Sequence, residues 1–158
     1  MAHSFVKTLI VVRHGHRDKG GGGEADNGLS AQGRKHAERI RARFGKKFPG
    51  EKAALISSPK LRCRETLLPL AESLGVTIQN SAYLDEGGDL PVKCQEFFEA
   101  FSRGRDSLVV ICTHGDWIPE FLEQAVGSPI ELDKGAWAQF EGRAGERYPQ
   151  LRWLLQKV

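Results

Sequence analysis

The chain has 158 residues, of which 40% are hydrophobic and 27% are charged, and its formal net charge at pH 7 is +3. This length fits one globular domain over residues 1–158 and is short for two. We expect a soluble cytoplasmic protein without membrane contact or a disulfide framework, because the apolar runs are too short for a bilayer or a signal peptide and the three cysteines lack metal-ligand spacing.

The first predicted element is a strand over residues 8–12, an apolar run without alternation that is typical of a strand buried on both faces of a parallel sheet. Arg13, His14 and Gly15 follow it directly. Ligands collect at this end of a strand in α/β proteins. A neutral histidine is nucleophilic and a guanidinium can hold two phosphate oxygens, so the triplet suits attack on phosphorus.

Four consecutive glycines, residues 20–23, precede the next predicted element. No Gly-Lys-Ser/Thr follows them, so we interpret them as a loop at the mouth of the site and not as a phosphate-binding loop. The sequence leaves open whether this loop closes over a substrate.

A helix is predicted over residues 30–44, with Ser30 as its N-cap and an apolar face at helical spacing. Its other face is crowded with basic residues, which favours a solvated surface that can also steer anionic substrates weakly. A nucleic-acid site would need interleaved aromatic side chains or a recognised module, and neither is visible, so we do not expect nucleic-acid binding.

The second predicted strand covers residues 53–56, and a helix over residues 60–74 follows it and ends at Gly75. Arg62 lies at the start of this helix, where backbone N–H groups and the helix dipole also favour an anion. The next predicted elements are a short strand over residues 76–78 and a helix over residues 92–101.

A third apolar run predicts a buried strand over residues 108–112, and Thr113, His114 and Gly115 follow it. The alternation of strands and helices predicts an α/β fold, a three-layer α/β/α sandwich with a mostly parallel central sheet. The last predicted elements are a helix over residues 117–126 and two strand-like segments, 136–140 and 151–155, that extend the sheet as an antiparallel edge.

Four sequence motifs occur in a fixed order along the chain. They are Arg13-His14-Gly15, Leu29-Ser30-Ala31-Gln32-Gly33, the segment from Ser57 to Cys63, and Thr113-His114-Gly115. In these motifs the chain resembles the histidine phosphatase superfamily, which includes phosphoglycerate mutases, acid phosphatases and phosphohistidine phosphatases. The resemblance covers roughly the first three quarters of the chain, and ordered matches are more specific than any single one.

The resemblance implies a role for each motif residue. His14 is implied to be the residue that becomes phosphorylated, Arg13 and Arg62 to bind the phosphate, and His114 to complete the pocket as a catalytic donor. Phosphoryl transfer spreads charge over three equatorial oxygens, so placing cations around them is the main task of such a site. None of these groups is a carboxylate, so we expect neither a metal nor another cofactor.

Arg17 and His16 extend the first motif to the Arg-His-Gly-x-Arg pattern of the acid phosphatase and phytase branch. The resemblance implies that Arg17 also touches the phosphate, although Lys19 stands where that branch usually carries a proline. His16 either borders the substrate pocket or lies in a solvated loop.

The proton donor of the family is often a glutamate in a Leu-x-Glu segment, which Leu84-Asp85-Glu86 matches. The resemblance therefore implies that Glu86 is the general acid, and its pKa must be raised by partial burial to keep it protonated at neutral pH. The alternatives are Asp116, two residues past His114, or a segment whose acidic residues only confer solubility.

Little of the chain between Arg62 and His114 remains for a cap over the site once the predicted helix and strand are placed. The chain thus resembles the minimal, capless phosphohistidine phosphatases. We expect a phosphatase that hydrolyses a phosphate monoester or phosphohistidine through a phosphohistidine on His14. Its partner is expected to be a phosphorylated small molecule or a phosphoprotein. The alternatives are a phosphoglycerate mutase-like phosphotransferase, which would need to exclude water, and a phosphate-binding interaction domain without turnover.

Overall fold

The structure is a computed structural model that describes residues 6–20, 25–143, 146 and 148–158. Within these residues, six strands form one sheet and four α-helices flank it. The strands are β1 (Val6–Arg13), β2 (Ala54–Ser57), β3 (Ile78–Asn80), β4 (Leu108–Thr113), β5 (Trp137–Arg143) and β6 (Gln150–Leu155). The helices are α1 (Ala31–Lys47), α2 (Leu61–Leu74), α3 (Leu90–Arg103) and α4 (Trp117–Val126), and a short 3₁₀ helix covers Ala82–Leu84.

The strand order in the sheet is β3-β2-β4-β1-β5-β6. The first four strands of that order pair in parallel, and β5 and β6 are antiparallel additions on the side of β1. This arrangement confirms the predicted mostly parallel sheet and the antiparallel edge near the end of the chain.

Helices cover the sheet on both faces and divide the core in two. On one face Leu9 and Val11 of β1 pack with the aromatic side chains of α3 and α4. On the other face Ile10 and Val12 pack with α1 and α2. Successive side chains of a strand point to opposite faces, and here each face is covered, which explains why β1 is apolar without alternation.

The helix ends follow the capping residues. Ser30 caps α1 as predicted, since its side chain accepts from the Gly33 N–H. Gly75 ends α2 with a left-handed φ of 66°, and the Val76 N–H then donates to the Ala71 carbonyl at 3.1 Å. That bond keeps Val76 at the helix terminus, so β3 begins two residues later than predicted.

The basic face of α1 and the glycine loop were both predicted to lie at the surface. The basic face of α1 is not wholly solvated, because Arg43 and Lys47 lie over the ring of Trp153 in β6, with the Lys47 nitrogen 4.1 Å from the ring centroid. The predicted loop at residues 20–23 falls mostly outside the described residues.

No helix in the described part of the chain is both long and apolar enough to span a bilayer.

Candidate active site

The two motif histidines meet at one edge of the sheet. β1 and β4 pair in parallel with Arg13 opposite Thr113, so His14 and His114 leave the sheet side by side. The backbone N–H of His14 donates to the Thr113 carbonyl at 3.2 Å, and the two imidazole centroids are 5.4 Å apart. Both side chains are buried. The structure therefore brings these two motifs together.

Hydrogen bonding determines which ring nitrogen of His14 can react. Nδ1 lies 2.8 Å from the carbonyl oxygen of Gly15, which can only accept, so Nδ1 carries the proton and Nε2 keeps its lone pair. Arg62 Nε donates to that Nε2 at 3.3 Å. Burial and the charges of His114, Arg62 and Arg13 lower the pKa of His14 to about 3, although the Gly15 hydrogen bond acts in the opposite direction. The ring is therefore neutral at pH 7.

Close backbone packing holds the loop after β1 against the start of α1. A Cβ at Gly15 would stand 2.9 Å from the carbonyl oxygen of Gly33, and a Cβ at Gly33 would overlap the carbonyl oxygen of His16. The Gly15 N–H also donates to Thr66 Oγ1 at 3.0 Å, and that hydroxyl donates to the Arg62 carbonyl at 2.6 Å. Two glycines and a threonine therefore position the loop, and no sequence motif pointed to Thr66.

The guanidinium of Arg62 joins the other groups of the site. It is buried in the first turn of α2. Its Nη2 lies 2.8 Å from Glu86 Oε2 and 3.3 Å from His114 Nδ1, while its Nε contacts His14. A phosphate in front of His14 Nε2 can accept hydrogen bonds from Arg62 if it takes the place of the Glu86 carboxylate.

His114 is held on its other side by the turn between β2 and α2. Ser58 Oγ lies 2.7 Å from His114 Nε2, and Cys63 Sγ lies 3.6 Å from the same atom. Ser58 and Cys63 belong to one of the four motifs but were not predicted as site residues, because the direction of each side chain depends on how this turn folds.

Glu86 faces the site as a partner of Arg62. Partial burial would raise the pKa of its carboxyl group, but the hydrogen bond and charge of Arg62, with the charges of His114 and Lys60, lower that pKa below its ordinary range. The raised pKa that a proton donor at Glu86 needs is therefore absent from this arrangement, because the ion pair outweighs burial of a side chain that is still 46% exposed. The role of Glu86 as a proton donor stays a prediction.

Asp116, the alternative donor, supports the segment that carries Glu86. Its Oδ2 accepts a hydrogen bond from the Gly87 N–H at 2.8 Å. Asp85 accepts from the Glu86 N–H at 2.9 Å, and its Oδ1 lies 3.7 Å from His114 Nε2. These contacts give Asp116 a positioning function that does not depend on proton transfer.

Arg13 lies between the motif histidines and the loop before β5. Its Nη1 donates to the Leu132 carbonyl at 2.6 Å. Its guanidinium packs so closely on Gly115 that a Cβ there would stand 2.7 Å from Arg13 Cζ. The buried Nε has no hydrogen-bond partner among the described residues. This N–H is a donor that an anion can use.

Arg17 and His16 lie on the chain that leaves the site. Arg17 is half-buried and forms an isolated antiparallel backbone bridge with Leu29. His16 is also half-buried, with Nδ1 2.7 Å from Ser30 Oγ. His16 is thus held to the N-cap of α1 and does not extend into a solvated loop, whereas the predicted phosphate contact of Arg17 stays a prediction.

The charges that converge on the site are cationic. In the described part of the chain, no three His, Cys, Asp or Glu side chains are grouped in a way that could hold a metal ion. Arg62 and Arg13 instead lie beside a neutral imidazole, and the two carboxylates nearest the site already face cations, Glu86 that of Arg62 and Asp85 that of Lys60. This arrangement suits an oxyanion such as phosphate.

Two comparisons concern the sequence itself. The chain matches the family model described as "Histidine phosphatase superfamily (branch 1)" over residues 9–92. It is similar to an 8-oxo-(d)GTP phosphatase of Mycolicibacterium smegmatis (strain ATCC 700084 / mc(2)155), with 32% identity over 127 residues. That match covers 75% of this chain but 37% of the other protein, so the chain spans little more than a third of the length of this relative.

Solved structures share the fold over almost the whole chain. The protein histidine phosphatase SixA complexed with tungstate is similar with a TM-score of 0.77 at 19% identity, covering 94% of this chain and 96% of that one. A mycobacterial glucosyl-3-phosphoglycerate phosphatase is similar with a TM-score of 0.74 at 19% identity, covering 94% and 97%. At these identities the likeness shows the fold alone.

Proposed function

This chain belongs to the histidine phosphatase superfamily, and from that premise we propose that it is a phosphatase that hydrolyses a phosphate monoester or phosphohistidine through a phosphohistidine on His14. One observation carries the proposal. His14 Nδ1 is hydrogen-bonded to the Gly15 carbonyl, and its unprotonated Nε2 accepts a hydrogen bond from Arg62 Nε at 3.3 Å. A neutral nucleophile beside a buried cation is the arrangement that attack on a phosphoryl group requires.

In the first step, His14 Nε2 forms a bond to phosphorus while the bond from phosphorus to the leaving oxygen or nitrogen breaks. Arg62, Arg13 and His114 stabilise the charge on the equatorial oxygens. The bound phosphate competes with Glu86 for Arg62, and the added negative charge favours protonation of Glu86. The protonated carboxyl can then donate to an alkoxide leaving group.

In the second step, water attacks phosphorus and the bond from phosphorus to His14 Nε2 breaks. Glu86 is a carboxylate at this point, either because it has protonated an alkoxide or because a leaving imidazole needed no proton, and it accepts a proton from that water. Inorganic phosphate leaves, and the neutral imidazole is restored. Water is the only co-reactant, and Arg13 and Arg62 supply the charge stabilisation that a metal ion could otherwise give, so we propose activity that is independent of a metal.

Hydrolysis is favoured over a mutase reaction by the placement of α3. Phe97, Phe98 and Phe101 of α3 are buried against the sheet and α4. The longest element between Arg62 and His114 is therefore part of the core and does not form a cap. Water can reach a phosphohistidine in a site of this kind, whereas a mutase must exclude water.

The substrate remains within two classes. The name of the 32% identical relative, 8-oxo-(d)GTP phosphatase, supports a nucleotide among the phosphorylated small molecules. The name of SixA, protein histidine phosphatase, keeps a phosphoprotein as the alternative, on a likeness of fold alone. We propose neither a nucleic acid nor a membrane as a partner, and we keep the cytoplasm as the proposed location.

The test is turnover of a panel of phosphate esters, nucleotides and phosphohistidine, with His14→Ala, Arg62→Gln and Arg64→Gln compared with the wild type. We expect His14→Ala to abolish turnover. We expect Arg62→Gln to lower kcat by about two to three orders of magnitude, as loss of one charge-stabilising donor does elsewhere. Arg64, two residues along the same helix, hydrogen-bonds Asn80 outside the site, so Arg64→Gln controls for a lost helix arginine.

The covalent step is tested by mixing the enzyme with radiolabelled substrate and quenching in alkali, where phosphohistidine survives. Label is expected on the wild type and not on His14→Ala. Phosphate binding without release of product from any substrate would indicate an interaction domain. Preferential transfer of label to an added alcohol would indicate a phosphotransferase.

A further inference from the structure

A cavity of about 540 Å³ opens beside the candidate active site. It shares Arg13 with the site, but its lining includes neither His14 nor Arg62 nor His114, so it is a neighbouring space and not the phosphate pocket. The side of α1, the loop before β5 and the end of the chain form its walls. The side chains that line it and matter here are Arg13, His36, Arg39, Asp133, Lys134 and Lys157.

Positive charge in this cavity has little compensation. Four of its side chains are cationic against the one carboxylate side chain of Asp133, and no carboxylate of the described residues lies within ion-pairing distance of Arg39, Lys134 or Lys157. Burial and then the charges of Lys19, Arg13, Arg17 and Arg62 lower the pKa of Lys134. A bound anion would relieve this mutual repulsion.

The walls of the cavity are held by specific contacts. Gln156 bridges them, because its Oε1 accepts from the Asp133 N–H at 2.7 Å and its Nε2 donates to the Glu131 carbonyl at 2.9 Å. Gly135 has a positive φ of 77°, and a Cβ there would stand 2.9 Å from the ring of His36. The Gly135 N–H donates to the Arg13 carbonyl at 3.0 Å. The cavity is therefore built into the fold next to the end of β1.

We propose that this cavity is a second anion site, which binds a second phosphate group of a small-molecule substrate while the first phosphate lies at His14. This inference rests on the proposed function and narrows its substrate class to compounds with two phosphate groups, such as nucleoside diphosphates or sugar bisphosphates. The volume lies in the range of small-molecule sites, which favours such a compound over an acidic peptide. Arg13 lies where the two sites meet and can contact both groups.

The experiment compares pairs of substrates that differ only by the second phosphate group. Adenosine diphosphate is compared with adenosine monophosphate, and a fructose bisphosphate with the corresponding monophosphate. The variants are Arg39→Gln and Lys134→Gln, and the control is Lys35→Gln, since Lys35 is exposed on α1 and does not line the cavity. The quantity compared is kcat/KM for the substrate with two phosphates divided by kcat/KM for the substrate with one. Each variant is expected to lower this ratio by about tenfold, and the control is expected to leave it unchanged.

An equal loss for both members of each pair, or no loss for either, would overturn the second site. So would a loss confined to a phosphopeptide with acidic neighbours, because the cavity would then serve a protein partner. Adenosine diphosphate binding is also measured by calorimetry in the His14→Ala background, with and without Arg39→Gln. Weaker binding with Arg39→Gln supports the second site even if turnover fails, and unaltered turnover by His14→Ala would contradict the proposed function alone.

Discussion

At the scale of single residues, His14 illustrates how a site can be maintained at a cost in stability. Its pKa is about 3 in the folded protein, against an ordinary value of 6.5. Between these values the unfolded chain binds a proton that the folded protein does not. Stability therefore falls as pH decreases below about 6.5, because the unfolded state binds more protons. The same burial that makes His14 a neutral nucleophile thus makes the protein sensitive to acid.

We predict that His14→Gln reduces this sensitivity. The free energy of unfolding, measured by urea denaturation between about pH 6.5 and pH 5, should fall less steeply for the variant by up to ~1.4 kcal/mol per pH unit, the contribution of one proton. His36 has a lowered pKa as well, but it is present in both proteins and cancels in the comparison. Parallel pH dependences for the two proteins would show that His14 titrates normally when folded.

Glu86 allows a prediction in which catalysis and binding change in opposite directions. Glu86→Gln should slow alkyl phosphates by at least ~10²-fold, because an alkoxide needs a proton, and should slow nitrophenyl phosphate or phosphohistidine only slightly. The variant should also bind vanadate more tightly, because a carboxylate 2.8 Å from Arg62 no longer competes with the anion. Equal slowing of all three substrates would assign Glu86 to substrate positioning, and unchanged rates would remove it from the mechanism.

Two substitutions distinguish a role of Asp116 as proton donor from a role in positioning the segment of Glu86. Asp116→Asn keeps an oxygen that can accept from the Gly87 N–H, whereas Asp116→Ala does not. If Asp116 positions the segment that carries Glu86, we expect Asp116→Asn to have a nearly wild-type kcat on alkyl phosphates and Asp116→Ala to have a clearly lower kcat. If Asp116 is the proton donor, both variants should lose activity equally, and steady-state kinetics on one alkyl ester decides between the two.

The residues of the site differed in how far sequence could predict them. His14 and His114 follow strand ends that a parallel sheet brings to one edge, so their common edge was predictable from local patterns, whereas their meeting in one pocket was implied by the family resemblance. The role of Thr66 was not predictable, because Thr66 accepts a hydrogen bond from a loop that is distant from it in sequence. The lowered pKa of Glu86 was not predictable for the same reason, since it depends on which side chain the carboxylate meets.

At the scale of elements, the junction of α1 with the loop after β1 depends on the absence of a side chain at Gly33. We predict that Gly33→Ala lowers both the free energy of unfolding and kcat, because its methyl group overlaps the His16 carbonyl and forces the loop away from α1. Gly45→Ala is the matched control in the same helix. No atom of the described residues lies within 4 Å of a Cβ at Gly45, and Ala is favoured over Gly in a helix by about 1 kcal/mol.

Thermal unfolding and kinetics on one substrate measure both effects. We expect Gly45→Ala to raise the melting temperature without changing kcat. A Gly33→Ala variant as stable and active as the wild type would show that α1 can move without disturbing the site.

The elements themselves were mostly predictable, and the misses have a common cause. Strands buried on both faces and helices with sharp caps gave clear patterns, as β1, α1 and α2 illustrate. The predicted bounds of β3 and α3 were less accurate, because the start of each element depends on the hydrogen bonds that the backbone makes beside a helix cap. Asp89 caps α3 by accepting from the Val92 N–H, so the helix begins at Leu90, two residues before its predicted start.

At the scale of the whole molecule, a group of cationic side chains adjoins the site. The net charge is +3, and Arg39 of α1 lines the neighbouring cavity together with Arg13, Lys134 and Lys157. We predict that kcat/KM for a doubly charged phosphate ester falls several-fold as ionic strength rises from about 0.01 M to 0.15 M, because salt screens the attraction that guides the substrate. The turnover number kcat at saturation is the internal control and should stay constant. A kcat/KM independent of salt would contradict steering.

The pairing of β1 with β4 also has a consequence for how the chain acquires activity. In the described part of the chain, three α-helices, one 3₁₀ helix and two strands lie between these strands in sequence, so their pairing closes a long stretch of chain and should be slow. The contact of Trp137 with Trp153 in β5 and β6, with ring centroids 6.0 Å apart, joins segments close in sequence and can form early. During refolding, recovery of turnover therefore marks the closure of β1 on β4, and it should lag behind the fluorescence change of the tryptophan pair, followed in a Trp117→Phe variant so that only Trp137 and Trp153 emit.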